Sequence, residues 1–131
     1  MLEVVAALIF DQDKFLICQR AKEKANGLLW EFVGGKVEHN ESKEKALIRE
    51  CQEELSIKVK VNKEIAEVVY DYPNFTIHLS LFECQIKQGE LTINEHNAIK
   101  WISLNEIYEY EFCPADRLFL DKIKELYSSH K

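Results

Sequence analysis

Residues 35–57 read GKVEHNESKEKALIRECQEELSI, and the spacing inside this stretch decides how the chain is read. Ser42 to Leu55 has the periodicity of an amphipathic helix. On a wheel of about 100° per residue with Glu50 at zero, Leu47, Ile48, Cys51 and Leu55 fall between about 60° and 160°. That apolar stripe can pack on a sheet. Glu50, Glu53 and Glu54 share a separate arc of about 100°, with the small Ala46 inside it. Like charges at this spacing repel by a few tenths of a kcal/mol per pair even in water. The acidic face is therefore either solvated or built for a hard divalent cation, which removes the repulsion and takes oxygen ligands.

The flanking sequence alternates between strand and helix patterns. Val4 to Phe10 is β-rich, Asp11 to Lys14 forms a turn, and Phe15 to Gln19 completes a hairpin. Leu28 to Val33 is a short apolar run, ended by Gly34-Gly35 where the backbone is free to turn. Ile57–Val61, Ile65–Tyr70, Phe75–Ile86 and Ala98–Ile102 read as strands, with Pro73-Asn74 as the turn before the third. Leu104–Tyr108 reads as one helical turn. Ala115–Tyr127 reads as a second amphipathic helix, with Leu118, Phe119, Ile123 and Leu126 for its buried side. The pattern predicts an α/β (α+β) fold, a mixed sheet with helices packed on it, in one domain over residues 1–131.

Composition narrows the function classes. The chain has 131 residues, 47% hydrophobic and 31% charged, enough to bury a core without staples. Its net charge of −6 argues against a nucleic-acid polymer or an anionic membrane as partner, since both need clustered cations. A small phosphate substrate remains open if something else supplies positive charge. Cys18, Cys51, Cys84 and Cys113 are scattered, with no CxxC pair, as expected for reduced thiols of a cytoplasmic protein. Leu2 to Phe10 contains Glu3 and lacks a basic n-region, so it reads as a strand and not a signal peptide. No apolar run approaches the ~20 residues of a membrane span.

Gly35, Glu41, Arg49, Glu50, Glu53 and Glu54 match the box of the Nudix hydrolases, G-x5-E-x7-R-E-U-x-E-E-x-G-U. Six matches at about 6% each coincide by chance on the order of 10⁻⁷ per start. Two positions depart: Cys51 fills an aliphatic slot and Ser56 stands where the box has Gly. Upstream, WEFVGGK resembles the WEFPGGK lead-in of MutT-like members, with Val33 for Pro. Glu95-His96-Asn97-Ala98 to Trp101 resembles their EHxAxxW segment, and Phe112-Cys113-Pro114-Ala115-Asp116 their F-x-P-A-[ND] signature.

The resemblance implies a Nudix-type α/β/α sandwich that hydrolyses a nucleoside triphosphate to the monophosphate and pyrophosphate. Mg²⁺ or Mn²⁺ would be the cofactor. Glu50, Glu53, Glu54 and the Gly35 carbonyl are then the expected metal ligands, with Glu95 as a further ligand or the general base. Glu53, Glu50, Glu95 and Arg49 are the expected catalytic set, Arg49 orienting the Glu side chains. Which carboxylate takes the proton of water stays open. Glu41 and Gly34 would support the loop. Arg20, Lys36, Phe75 and Asp116 are the expected substrate contacts, Asp116 reading the base edge. Each has a plainer role available: Asp116 can cap a helix, Phe75 and Phe32 can be core aromatics, and Glu95 can be an exposed loop acid. His39 and His78 lie at no ligand spacing and read as structural.

The leading expected substrate is 8-oxo-dGTP, removed from the nucleotide pool to avoid mutation. CTP or dCTP is the alternative, because an ionised Asp116 accepts from the cytosine amino group and cannot donate to a purine O6 unless protonated. A non-catalytic nucleotide-binding module would be expected to show a degraded box, and this box keeps every carboxylate. A monomer or homodimer is expected.

Overall fold

The computed structural model describes residues 1–128. In chain order its elements are β1 (Leu2–Asp11), β2 (Lys14–Gln19), β3 (Trp30–Glu31), β4 (Gly34–Lys36), α1 (Lys43–Leu55), β5 (Lys58–Tyr72), β6 (Phe75–Gln88) and β7 (Ala98–Ser103). A 3-10 turn (Leu104–Glu109), α2 (Pro114–Arg117) and α3 (Leu120–Tyr127) follow.

β1 is the hinge of the architecture. It pairs in parallel with β6 along nine residues and antiparallel with β2 only at Phe10↔Phe15 and Asp11↔Lys14. Beyond that hairpin base β1 and β2 part. β4 pairs with the freed edge of β1, and β3 pairs with the freed edge of β2. β7 covers the outer edge of β2, and β5 the outer edge of β6. The mixed sheet thus splits into two wings that share one hairpin.

Strand alternation supplies two cores, one on each face. Val5, Ala7, Ile9, Leu16, Cys18, Phe82 and Cys84 pack against Ala46, Leu47, Cys51 and Leu55 of α1. Ala6, Leu8, Phe15, Ile17, Leu79 and Leu81 pack against Ala115, Phe119, Leu120 and Ile123 on the other face. This is the α/β/α sandwich of the Nudix resemblance. No helix among the described residues is long and apolar enough to cross a membrane.

Four local expectations change. The two strands expected across 57–70 are one strand, β5, whose register slips between Lys58 and Val59, between Val61 and Lys63, and between Glu64 and Ala66. The expected helix 115–127 breaks into α2 and α3. Leu118 and Phe119 close tight bonds to Ala115 and Asp116 carbonyls, which buries Phe119 and leaves Leu118 half exposed. Of the apolar run 28–33, only Trp30–Glu31 forms strand. Gly34 and Gly35 do not turn the chain. They lie in β4 against β1, where a Cβ at Gly34 would meet the Val5 carbonyl oxygen at 1.9 Å.

Candidate active site

α1 begins at Ser42, whose Oγ accepts from the Lys45 N–H at 3.1 Å. Its apolar stripe seats it on the sheet, and the position of each carboxylate on the wheel then sets its depth. Glu54, nearest the stripe, has a side chain only 12% exposed, Glu50 follows at 14%, and Glu53, farthest away, is 54% exposed. β4 runs beside this face. A Cβ on Gly35 would lie 2.3 Å from the Glu50 carboxyl carbon, so only glycine lets that carboxylate approach the strand. Burial, then the adjoining Glu50, pushes the Glu54 carboxyl up to about 10. Without a cation the face cannot hold all its charges. A divalent metal fits: the donors are oxygens, two are largely withdrawn from water, and their mutual repulsion is what such an ion relieves.

Arg49 organises the rim. Nε and Nη2 donate to Glu41 at 2.8 and 3.0 Å in a fork, Nη1 donates to Glu50 at 2.9 Å and to Glu53 at 3.3 Å, and Nη2 also donates to the Lys36 carbonyl at 3.0 Å. Hydrogen bonds from Arg49 and the Glu38 N–H hold the Glu41 carboxyl down at about 2. Lys36 meets this network through its backbone, and its side chain is exposed.

The connection between β6 and β7 faces the carboxylates from the other side. Glu95 is half exposed and stands 3.7 Å from the Lys24 ammonium. His96 is 5% exposed, and its Nε2 lies 2.8 Å from Glu31 and 3.7 Å from Glu54. The other Glu31 oxygen accepts from Arg20 Nη1 at 2.9 Å. Asp116 is 8% exposed, and its Oδ1 accepts from the Phe32 N–H at 3.1 Å. Burial, then the charge of Glu31, raises its carboxyl to about 8. Asp116 thus reaches back to the β3–β4 connection and does not cap α2.

A cleft of about 390 Å³ joins these parts. Gly34, Gly35, Glu54, Glu95, His96, Arg20, Asp116 and Phe75 all line it. Phe75 is half exposed at the β5–β6 turn and stacks on Tyr72 with ring centres 5.3 Å apart. Glu50, Glu53, Arg49, Glu41 and the Lys36 side chain stand outside the lining, on the helix rim. A larger hollow of about 990 Å³, lined by Phe10, Asp13, Glu83 and Tyr127, gathers none of the expected site residues.

Glu31 and His96 were not expected. With Glu54 they place three ligand atoms within 4.8 Å of one another. A lone Glu in a strand and a lone His in a loop carry no spacing signal. Their adjacency to quoted motifs, in WEF and directly after Glu95, was the only pointer.

A NUDIX domain model matches residues 4–122. The chain is 39% identical over 126 residues to the CTP pyrophosphohydrolase of Escherichia coli K12, covering 96% of this chain and 93% of that one. It is 40% identical over 92 residues to the 8-oxo-dGTP diphosphatase of Proteus vulgaris, covering 70% and 82%. The solution structure of the E. coli ORF135 protein superposes with a TM-score of 0.86 at 37% identity, covering 99% of this chain and 93% of that one. With the box, the sandwich and the cleft in place, this chain belongs to the Nudix hydrolase family.

Proposed function

We propose that this chain hydrolyses a nucleoside triphosphate to the monophosphate and pyrophosphate, with Mg²⁺ or Mn²⁺ as cofactor. One observation carries the reading: a single cleft runs between the buried α1 carboxylate Glu54 and the buried base-side carboxyl Asp116. Nudix hydrolases generally depend on a divalent cation. Glu50, Glu53, Glu54, Glu95 and the Gly35 carbonyl would hold it. A bound cation would supply neutralisation of phosphate charge and a lowered pKa for its water. The rest falls to the chain. Arg49 fixes Glu50 and Glu53 in orientation, with Glu41 and Gly34 supporting the loop. Glu53, Glu50 or Glu95 accepts the proton of the water that attacks the β-phosphorus, and the nucleoside monophosphate leaves as pyrophosphate forms. Arg20, Phe75 and Asp116 hold the nucleoside, and Lys36 meets the phosphates from the rim.

We propose 8-oxo-dGTP as substrate. A carboxyl raised to about 8 is protonated at neutral pH, so the free Asp116 oxygen can donate to the purine O6 while Oδ1 keeps its bond from Phe32. CTP or dCTP is the second reading, favoured by the E. coli relative named for CTP. The enzyme would act as a single domain, monomer or homodimer, in the cytoplasm, where its four buried free cysteines stay reduced.

Incubation with Mg²⁺ and 8-oxo-dGTP, CTP, dCTP or GTP, with products identified, tests this. Pyrophosphate is expected, and Glu53→Gln should lower turnover by about two orders of magnitude or more with the fold intact. Release of inorganic phosphate, or an active Glu53→Gln, would overturn it.

A further inference from the structure

The segment that carries Glu95 and His96 is fastened to the end of α1, and we infer that Asn94 and Ser56 are positioning residues: together they form a latch that sets Glu95 against the α1 carboxylates. The inference rests on the hydrolase reading above. The last four carbonyls of a helix have no partner within it. In α1 all four are taken. Gln52 accepts from the Ser56 N–H at 3.0 Å, and Leu55 from the Thr92 N–H at 2.9 Å. The two between belong to the carboxylate residues themselves. Glu53 accepts from Asn94 Nδ2 at 2.9 Å and Glu54 from the Asn94 N–H at 3.2 Å.

The remaining Nδ2 proton of Asn94 goes to Ser56 Oγ at 3.0 Å. Ser56 is the departure from the Nudix box. It sits in the left-handed region, φ 58° and ψ 32°, where the box Gly suffers no Cβ penalty. The serine hydroxyl gives this chain what glycine cannot: an acceptor that aligns the Asn94 amide with the Glu53 carbonyl.

The far side is pinned as well. Asn97 donates from its N–H to the Gln19 carbonyl at 2.8 Å and from Nδ2 to Gln19 Oε1 at 2.7 Å. Only Glu95 and His96 lie between the two anchors, and His96 stands 3.7 Å from Glu54. The reach of Glu95 toward the carboxylate face is therefore set by Asn94 and not by contacts of its own, which comprise one 3.7 Å pairing with Lys24.

The test compares Ser56→Gly and Asn94→Ala with the full wild-type chain. Mn²⁺ binding without nucleotide is followed by electron paramagnetic resonance, steady-state kinetics are run at saturating Mg²⁺, and urea denaturation gives stability. Ser56→Gly relaxes the backbone, so its stability should equal or exceed wild type while its Mn²⁺ dissociation constant rises by about tenfold. Its kcat should fall with KM for the nucleotide unchanged. Asn94→Ala should move metal binding and kcat further in the same direction. Wild-type Mn²⁺ binding and kcat in both variants would overturn the latch, as would a Ser56→Gly whose metal loss follows a loss of stability. A wild type that binds Mn²⁺ yet turns over no nucleotide would sink the hydrolase reading, and the latch would still be decided by the Mn²⁺ titrations.

Discussion

If Asp116 reads the base as proposed, its burial ties base recognition to pH. Its carboxyl is 8% exposed beside Glu31 and is raised to about 8 from an ordinary 3.8. The folded value lies above the unfolded one. The folded chain therefore keeps a proton that the unfolded chain gives up, and stability is complete below about pH 4, falls as pH rises, and levels off above about 8. At about 1.4 kcal/mol per unit, a separation of about four units sets an upper limit near 6 kcal/mol. The three units between pH 5 and 8 account for about 4 kcal/mol of that range.

Asp116→Asn isolates this effect, because the amide oxygen still accepts from the Phe32 N–H while the side chain no longer titrates. Urea denaturation from pH 5 to 9 in excess Mg²⁺ is the assay, so that the α1 carboxylates are treated alike in both proteins. The variant should gain on wild type by about 4 kcal/mol at most between pH 5 and 8. A difference that stays constant across the range would refute the reasoning. On the proposed reading the same proton would decide specificity. In wild type the ratio of kcat/KM for 8-oxo-dGTP over CTP should fall through about pH 8, as the acid that donates to a purine O6 becomes the carboxylate that accepts from cytosine. Asp116→Asn should hold that ratio flat.

Gly35→Ala puts a Cβ 2.3 Å from the Glu50 carboxyl carbon, so Mn²⁺ affinity should fall by about tenfold with the circular dichroism unchanged; calorimetric titration checks it. Arg49→Lys keeps the charge but loses the fork to Glu41 and the simultaneous bond to Glu50, and kcat should drop by about tenfold or more at similar KM in steady-state assays. Phe119→Ala removes a fully buried ring from the core on the face opposite α1 and should cost about 3–5 kcal/mol in urea, with the metal titration of the remaining folded protein unchanged.

Much of this site could be read from spacing because a helix converts spacing into direction. The wheel separates Leu47, Cys51 and Leu55 from the three glutamates, and the structure buries the first group and orders the second by distance from it. Asp116 was named from a short signature, but its partner was not, because Phe32 lies 84 residues away and only folding brings its N–H to Oδ1. Glu31 and His96 escaped for the same reason, 65 residues apart and without periodicity. Gly34 and Gly35 were noticed for the wrong property. Sequence marks glycine as free to turn, whereas here it is needed for its missing Cβ. The break after Arg117 escaped because Leu118 fits the helical stripe, and tight bonds to Ala115 and Asp116 decide otherwise.

The electrostatics of the cleft bear on how an acidic protein would take the proposed polyanionic substrate. The Arg and Lys side chains lining the cleft are Arg20 and Lys24. Arg20 is committed to Glu31 at 2.9 Å, and Lys24 stands 3.7 Å from Glu95. On the rim Arg49 is shared among Glu41, Glu50 and Glu53. Each of these three cations is already balanced by a carboxylate, which leaves the exposed Lys36 ammonium on the rim, and Glu54 adds a further buried acid. On the proposed reading, triphosphate binding would draw most of its positive charge from ions held by the carboxylates, which would tie affinity for the substrate to affinity for the metal. The divided sheet makes that arrangement possible. β1 and β2 pair at two positions and then part, so the carboxylate helix packs against one wing and Arg20 extends from the other, with Glu31 joining them through Arg20 and His96.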